Sequence, residues 1–183
     1  MGEIDIAENR KHLNYSKWIY VKRILWSFGK LFFIYSPRIA FGYRNMILRM
    51  FGAKIGKQVH IYSSTVIWFP WNLEIGDWSA IGEDTLIYNL GRVVIGKSTT
   101  ISHKVHVCAG THDYKDPTLP LIRPEIHIGD QTWICASSFV GPNTNIGEGA
   151  IIGAGAVMMK DAEPWGIYAG NPAKFIKKRV LNS

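Results

Sequence analysis

Apolar residues recur every six positions through much of this chain, and that period restricts the fold more than any other feature. Ile55, Ile61 and Ile67 are six apart, as are Ile75, Ile81 and Ile87, then Ile95, Ile101 and Val107, and later Ile128, Ile134, Val140, Ile146, Ile152 and Met158. Gly follows many of them, as at Gly56, Gly76, Gly82, Gly96, Gly129, Gly147 and Gly153, and a small residue usually stands three places after that Gly. Six matches neither the period of about 3.6 of a helix nor the period of about two of a strand. It calls for a short strand plus a corner, with one branched side chain per hexad turned inward and Gly where the backbone needs angles that other residues resist. Three hexads close one triangular coil, and stacked coils pair as parallel sheets. The expected fold class is an all-β solenoid, a parallel β-helix of about five coils between residues 55 and 160.

The breaks in the register are equally informative. Ile67 to Ile75 and Ile87 to Ile95 are each eight apart, so one corner gains two residues, and Val107 to Ile128 is twenty-one apart, an excess of fifteen over one hexad. The excess predicts a protruding loop over residues 113–125, where Pro117, Pro120 and Pro124 cannot donate to a ladder. A loop of this length on a compact solenoid is usually functional.

Residues 1–54 differ in character. They hold 10 Lys/Arg against 3 Asp/Glu, whereas residues 55–183 hold 11 against 11, so the whole net charge of +7 arises there. Trp18, Val21, Leu25, Phe28, Phe32 and Tyr35 recur at three and four, which predicts an amphipathic helix stopped by Pro37, and a second helix is expected through residues 39–51. Interleaved with Lys17, Lys22, Arg23 and Lys30, residues 17–35 suit either a cap on the open end of the coil or peripheral contact with an anionic membrane surface. The organisation expected is a basic, aromatic helical cap (1–54), the coil with its loop (55–160), and a C-terminal segment with a short helix (161–183). Two cysteines make no disulfide framework and no zinc spacing, and neither a signal-peptide pattern nor a long uncharged apolar run is present. A cytoplasmic protein is expected, with peripheral contact at the inner face of the membrane as an option. Charge alone, without a recognisable motif, does not argue for nucleic-acid binding.

The [Ile/Val/Leu]-Gly-x-x-small-x hexads and the placement of the loop resemble the hexapeptide-repeat acyltransferases over nearly two-thirds of the chain. The Leu48 to Gly56 stretch and Thr111-His112-Asp113-Tyr114 are similar to the sugar O-acetyltransferase branch, above all to colanic-acid and other exopolysaccharide enzymes, and beyond them to maltose and galactoside acetyltransferases. The resemblance implies a left-handed coil, a homotrimer with the cleft between subunits, acetyl-CoA as co-substrate with no metal required, and a sugar or lipid-linked saccharide acceptor. It implies that His112 is the general base, a role that an imidazole of ordinary pKa suits. Asn89, Asp113 and Tyr114 are the implied acceptor-binding residues, with Asp113 alternatively orienting the imidazole.

For the cofactor, Trp133-Ile134-Cys135-Ala136 resembles the family's Trp-Ile-Gly-Ser stretch, departing from it at Cys135 and Ala136, so the backbone N–H of Ala136 is left as the oxyanion donor. Ala154 offers a backbone amide to pantetheine, and Lys160, Lys174 and Lys177 offer charge to the phosphates, the last two in or beside Ala169-Gly170-Asn171-Pro172-Ala173-Lys174, which is similar to the family's closing signature. Cys108 and Cys135 read as small packing residues, with no acyl-enzyme step. Two other functions fit the same fold. One is a metal hydratase like the γ-type carbonic anhydrases, which needs a third ligand beside His106 and His112. The other is a non-catalytic β-helix with a binding role.

Overall fold

The computed structural model describes residues 3–11 and 13–182. Three helices lead in: α1 (Ile6–Lys11), α2 (Lys17–Ile34) and α3 (Phe41–Met50). Coil one is β1 (Lys54–Ile55), β2 (His60–Ile61) and β3 (Val66–Ile67); coil two is β4 (Leu73–Ile75), β5 (Ala80–Ile81) and β6 (Leu86–Tyr88). Coil three is β7 (Val93–Ile95), β8 (Thr100–Ile101) and β9 (His106–Cys108), after which β10 (Thr111–His112) and β11 (Leu121–Ile122) form a small antiparallel ribbon. Coil four is β12 (Ile126–Ile128), β13 (Trp133–Ile134) and β14 (Phe139–Val140), and coil five is β15 (Asn145–Ile146), β16 (Ile151–Ile152) and β17 (Val157–Met158). The strands β18 (Gly166–Ala169) and β19 (Lys174–Lys178) end the stack.

The coil therefore has three faces, with strand order β1-β4-β7-β12-β15 on the first, β2-β5-β8-β13-β16-β18 on the second and β3-β6-β9-β14-β17 on the third. An isolated parallel bridge from Ile146 to Ala162 and the strand β18 add a partial sixth coil to the five expected. Registers confirm the hexad reading: Ile61, Ile81, Ile101, Ile134 and Ile152 stack on the second face, each almost fully buried. Truncating one of them to Ala would cost about 2–5 kcal/mol, because the coils above and below cannot collapse into the gap.

The hexad glycines have a different reason from the one expected. A Cβ on Gly76 would lie 2.5 Å from Lys97 N, and one on Gly96 2.5 Å from Asp130 N, so these positions are bare because the next coil's backbone crosses them. The left-handed corner conformation falls instead on Gln58, Trp78, Ser98 and Gln131, with φ of 52° to 60°. These corners are held by a ladder between coils, Trp78 N to Lys57 O, Ser98 N to Asp77 O and Gln131 N to Lys97 O, each 2.8–2.9 Å. The small residues three places after Gly carry buried hydroxyls that stitch coils together, as Ser79 Oγ to Gly96 O (2.6 Å) and Thr99 Oγ1 to Gly129 O (2.7 Å).

The helices cap coil one. Trp26 Nε1 donates to Ile67 O at 3.0 Å, and the buried Arg44 donates from Nε to Ile61 O (2.6 Å) and from its two terminal nitrogens to the carbonyls of Pro37 and Arg38. The predicted stripe of α2 is inverted: Trp26, Gly29 and Phe33 face the coil, while Trp18, Leu25, Phe28, Phe32 and Tyr35 are exposed. Among the described residues no helix is long and apolar enough to cross a membrane.

The expected C-terminal helix is absent. Lys174–Lys178 is the extended β19, antiparallel to β18, with Phe175 edge-on to Tyr168 at 5.7 Å. An open edge on β18 presents backbone donors and acceptors that a strand satisfies and a helix does not.

Candidate active site

Every insertion in the hexad register falls on the corner between the third and first faces. There lie the 3-10 turn Pro70–Asn72, residues 89–92, and the long loop, which leaves the coil after β9. Gly110 makes the departure possible, since a Cβ there would meet Tyr88 and Leu90 at 3.0 Å. Two residues on, in β10, stands His112, exposed at this edge.

The loop fixes that imidazole. Thr118 N and Thr118 Oγ1 both donate to Asp116 Oδ1 at 2.8 Å, and these bonds hold the Asp116 carboxyl below its usual range. Leu119, at φ 47°, donates its N–H to Asp116 O and turns its own carbonyl toward His112 Nδ1 at 2.6 Å. A carbonyl only accepts, so Nδ1 is the protonated nitrogen and the neutral ring keeps its lone pair on Nε2. Asn9 of α1 supports the same turn, its Nδ2 donating to Thr118 O (2.6 Å) and Leu119 O (3.1 Å). Asp5 N to Pro117 O, and Arg123 to Asn14 O with Arg123 over Tyr15, complete a clamp between the N-terminal segment and the loop.

One acceptor assignment, Asn89, and the alternative orienting role of Asp113 need revision. Asn89 is fully buried; its Oδ1 accepts from Trp68 N (3.2 Å) and Phe69 N (3.0 Å), and its Nδ2 donates to Phe69 O (2.6 Å). It staples the inserted corner and has no face turned to a ligand. Asp113 does not orient the imidazole, a task that falls to Leu119; its Oδ1 accepts from Lys115 N at 3.0 Å as a turn cap. Tyr114 is open to solvent beside them.

The residues expected to meet the cofactor lie elsewhere. Trp133 lies on the second face with Nε1 donating to Ser102 Oγ at 3.0 Å, beside a polar hollow of about 250 Å³ shared with Arg179. Ala136 and Ala154 lie on the edge between the second and third faces, and their N–H groups make no hydrogen bond among the described residues. Cys135, next to Ala136, and Cys108 are unpaired, and burial pushes both thiols up, away from the nucleophilic thiolate. Lys174 and Lys177 lie on β19, and Lys160 follows β17 on the same edge as His112. The third face thus separates His112 from Ala136 and Ala154 within one chain. Among the described residues no three or more His, Cys, Asp or Glu converge as metal ligands.

Residues 125–160 match the model of the bacterial transferase hexapeptide, six repeats. The putative colanic acid biosynthesis acetyltransferase WcaF of Escherichia coli K12 is 36% identical over 158 residues, covering 86% of this chain and 87% of that one. The chain belongs to the hexapeptide-repeat acetyltransferase family. Its fold is shared with a maltose O-acetyltransferase from Clostridium difficile 630 (TM-score 0.82, 23% identity, covering 91% of this chain and 90% of that one). It is shared equally with a galactoside acetyltransferase solved with coenzyme A (TM-score 0.83, 21% identity, 96% and 92%). What this family member adds to the sequence reading is Leu119, Asn9 and Ser102. Leu119 acts through a backbone carbonyl, which leaves no side-chain signature, and Asn9 is about a hundred residues from the loop that it holds.

Proposed function

We propose that this chain transfers the acetyl group of acetyl-CoA to a hydroxyl of a saccharide, free or lipid-linked, with His112 as general base. The observation that carries the reading is the Leu119 carbonyl on Nδ1, which leaves Nε2 exposed and able to accept a proton. In the step proposed, Nε2 takes the hydroxyl proton as the oxygen attacks the thioester carbonyl carbon. The oxyanion is received by free backbone N–H groups such as that of Ala136. Collapse breaks the C–S bond, and the sulfur leaves as thiol with the proton returned from His112, giving ester and free CoA.

Trp133, Ala136, Ala154, Lys174 and Lys177 are proposed to hold the cofactor, with Lys160 at the phosphates. Ala136 and Ala154 lie on a different edge from His112, whereas Lys160 shares the His112 edge, so the reading requires a trimer in which the His112 edge of one chain faces the Ala136 edge of its neighbour. Tyr114 and the free side of Asp113 are left to meet the acceptor. Two unpaired, part-buried thiols suit a reducing, cytoplasmic setting.

Release of free thiol from acetyl-CoA, measured with a panel of mono- and disaccharides, tests the proposal. His112→Ala is expected to lower acceptor-dependent turnover by about 100-fold or more. Equal turnover by wild type and variant would remove His112 from its role, and thiol release without any acceptor dependence would remove the saccharide.

A further inference from the structure

The outward face of α2 and α3 is not used by the coil or by the site. Trp18, Phe28, Phe32 and Tyr35 on α2 and Met46 and Met50 on α3 all point to solvent, with Phe28 63%, Phe32 64% and Tyr35 83% exposed. Phe28 and Phe32 are one turn apart and line a groove of about 500 Å³ between the helices, floored by Gly29, Ile47 and Phe51 and without a charged residue. Aromatic area of this extent is seldom left to water on a soluble domain.

The charge around it is one-sided. Between Glu8 and Glu74 the sequence contains no Asp or Glu, yet it contains 11 Lys and Arg. Of these, Arg44 and Arg49 are engaged by carbonyls and Arg38 pairs with Glu83, whereas Lys17, Lys22, Arg23 and Lys30 have no carboxylate partner among the described residues. A second copy of this chain on the same face would bring like charges together, and a neutral protein partner would leave them uncompensated. An anionic lipid surface satisfies both features: headgroup phosphates meet the lysines, and the aromatic rings and an acyl chain end occupy the interfacial layer and the groove.

We propose that this face docks the protein peripherally on an anionic membrane. The inference does not depend on acetyl transfer, since neither the loop nor the edges that carry His112, Ala136 and Ala154 take part in it.

The test is co-sedimentation of the full chain with phosphatidylcholine vesicles, with and without phosphatidylglycerol. Wild type is expected to bind the anionic vesicles at least about tenfold more tightly than the neutral ones and to be released by raised salt. Phe28→Gln with Phe32→Gln, and separately Lys17→Gln with Lys22→Gln, should each weaken binding to anionic vesicles by about tenfold or more. Phe28 and Phe32 are on the outward face, and Lys17 and Lys22 are exposed, Lys22 lying over the Trp71 ring of the coil at 5.5 Å, so the fold and the sedimentation coefficient should stay as in wild type. Absence of binding to either vesicle, unchanged binding by the aromatic variant, or a change of oligomeric state in that variant would each overturn the proposal, the last because it would make the face an interface between copies.

Discussion

His112 Nδ1 and the carbonyl oxygen of Leu119 are 2.6 Å apart, and Leu119 reaches that position only through a left-handed backbone at φ 47°. The tautomer of the imidazole therefore depends on the order of a loop. That loop is in turn tied to α1 through Asn9, whose amide shares the Leu119 oxygen. The geometry of the proposed base is thus coupled to the N-terminal segment, far away in sequence.

Asn9→Ala should loosen the Leu119 carbonyl without touching reactants. Two hydrogen bonds are lost, of which the one to Leu119 O bears on the imidazole and is worth about 1 kcal/mol, so a fall of about three- to tenfold in turnover is expected, with acetyl-CoA affinity unchanged. Asn9→Gln, which keeps the donor, should recover part of the loss. Parallel weakening of acetyl-CoA binding would instead indicate a general loss of fold.

The Asp116 carboxylate is held below its ordinary value of 3.8 by its bonds from Thr118. Its contribution to loop order is therefore fully present above that ordinary value and is lost as pH falls through the lower folded value. At neutral pH, Asp116→Ala should open the loop, seen as faster tryptic cleavage at Lys115 than in wild type, with the coil resistant in both. Equal cleavage rates would mean that the turn does not rely on this carboxylate.

Asn89 separates a structural role from a binding one. Asn89→Ala would leave the buried Phe69 N–H without its acceptor, while Phe69 C=O keeps the Asn72 N–H, an expected loss of about 1–3 kcal/mol in urea unfolding. A residue that contacts acceptor would instead raise KM at unchanged stability, and that pattern would reverse our reading.

Why Asn89 was misread from sequence is instructive. An amide that binds a sugar and one that staples a corner are the same letter at the same spacing, and only burial distinguishes them. The coil itself was legible, because the hexad isoleucines report inward positions directly, and so was the edge that bears the loop and His112, because Ile67 to Ile75, Ile87 to Ile95 and the loop all break register at one corner. The stripe on α2 was misassigned because that helix is apolar nearly all round: Trp18, Phe28 and Phe32 repeat as regularly as Trp26 and Phe33, and the coil takes only the second set. The tail was misread because Phe175 to Lys178 has no periodicity of its own; the open edge of β18 makes it a strand.

His106 is part-buried edge-on to Phe139, and burial lowers its pKa below the ordinary 6.5. A group kept neutral in the fold adds stability above the unfolded value, and that stability is lost as pH falls from there through the folded value. Urea midpoints of wild type should therefore drop between neutral pH and about pH 5 by more than those of His106→Leu. Parallel pH profiles for the two proteins would show that the ring is effectively solvated.

The separation of His112 from Ala136 and Ala154 by a whole face of the coil gives the sharpest test of where the cleft lies. His112→Ala removes the base from one edge, and Ala154→Trp blocks the other edge while leaving the base intact. Each variant alone should be inactive. If the cleft is shared between chains, equal co-expression assembles trimers in which some sites join an intact His112 edge to an intact Ala154 edge, and about a quarter of wild-type turnover should return. If both halves belong to one chain, every site carries a defect and mixing restores nothing. Recovery is a gain of function, so instability of either variant cannot produce it.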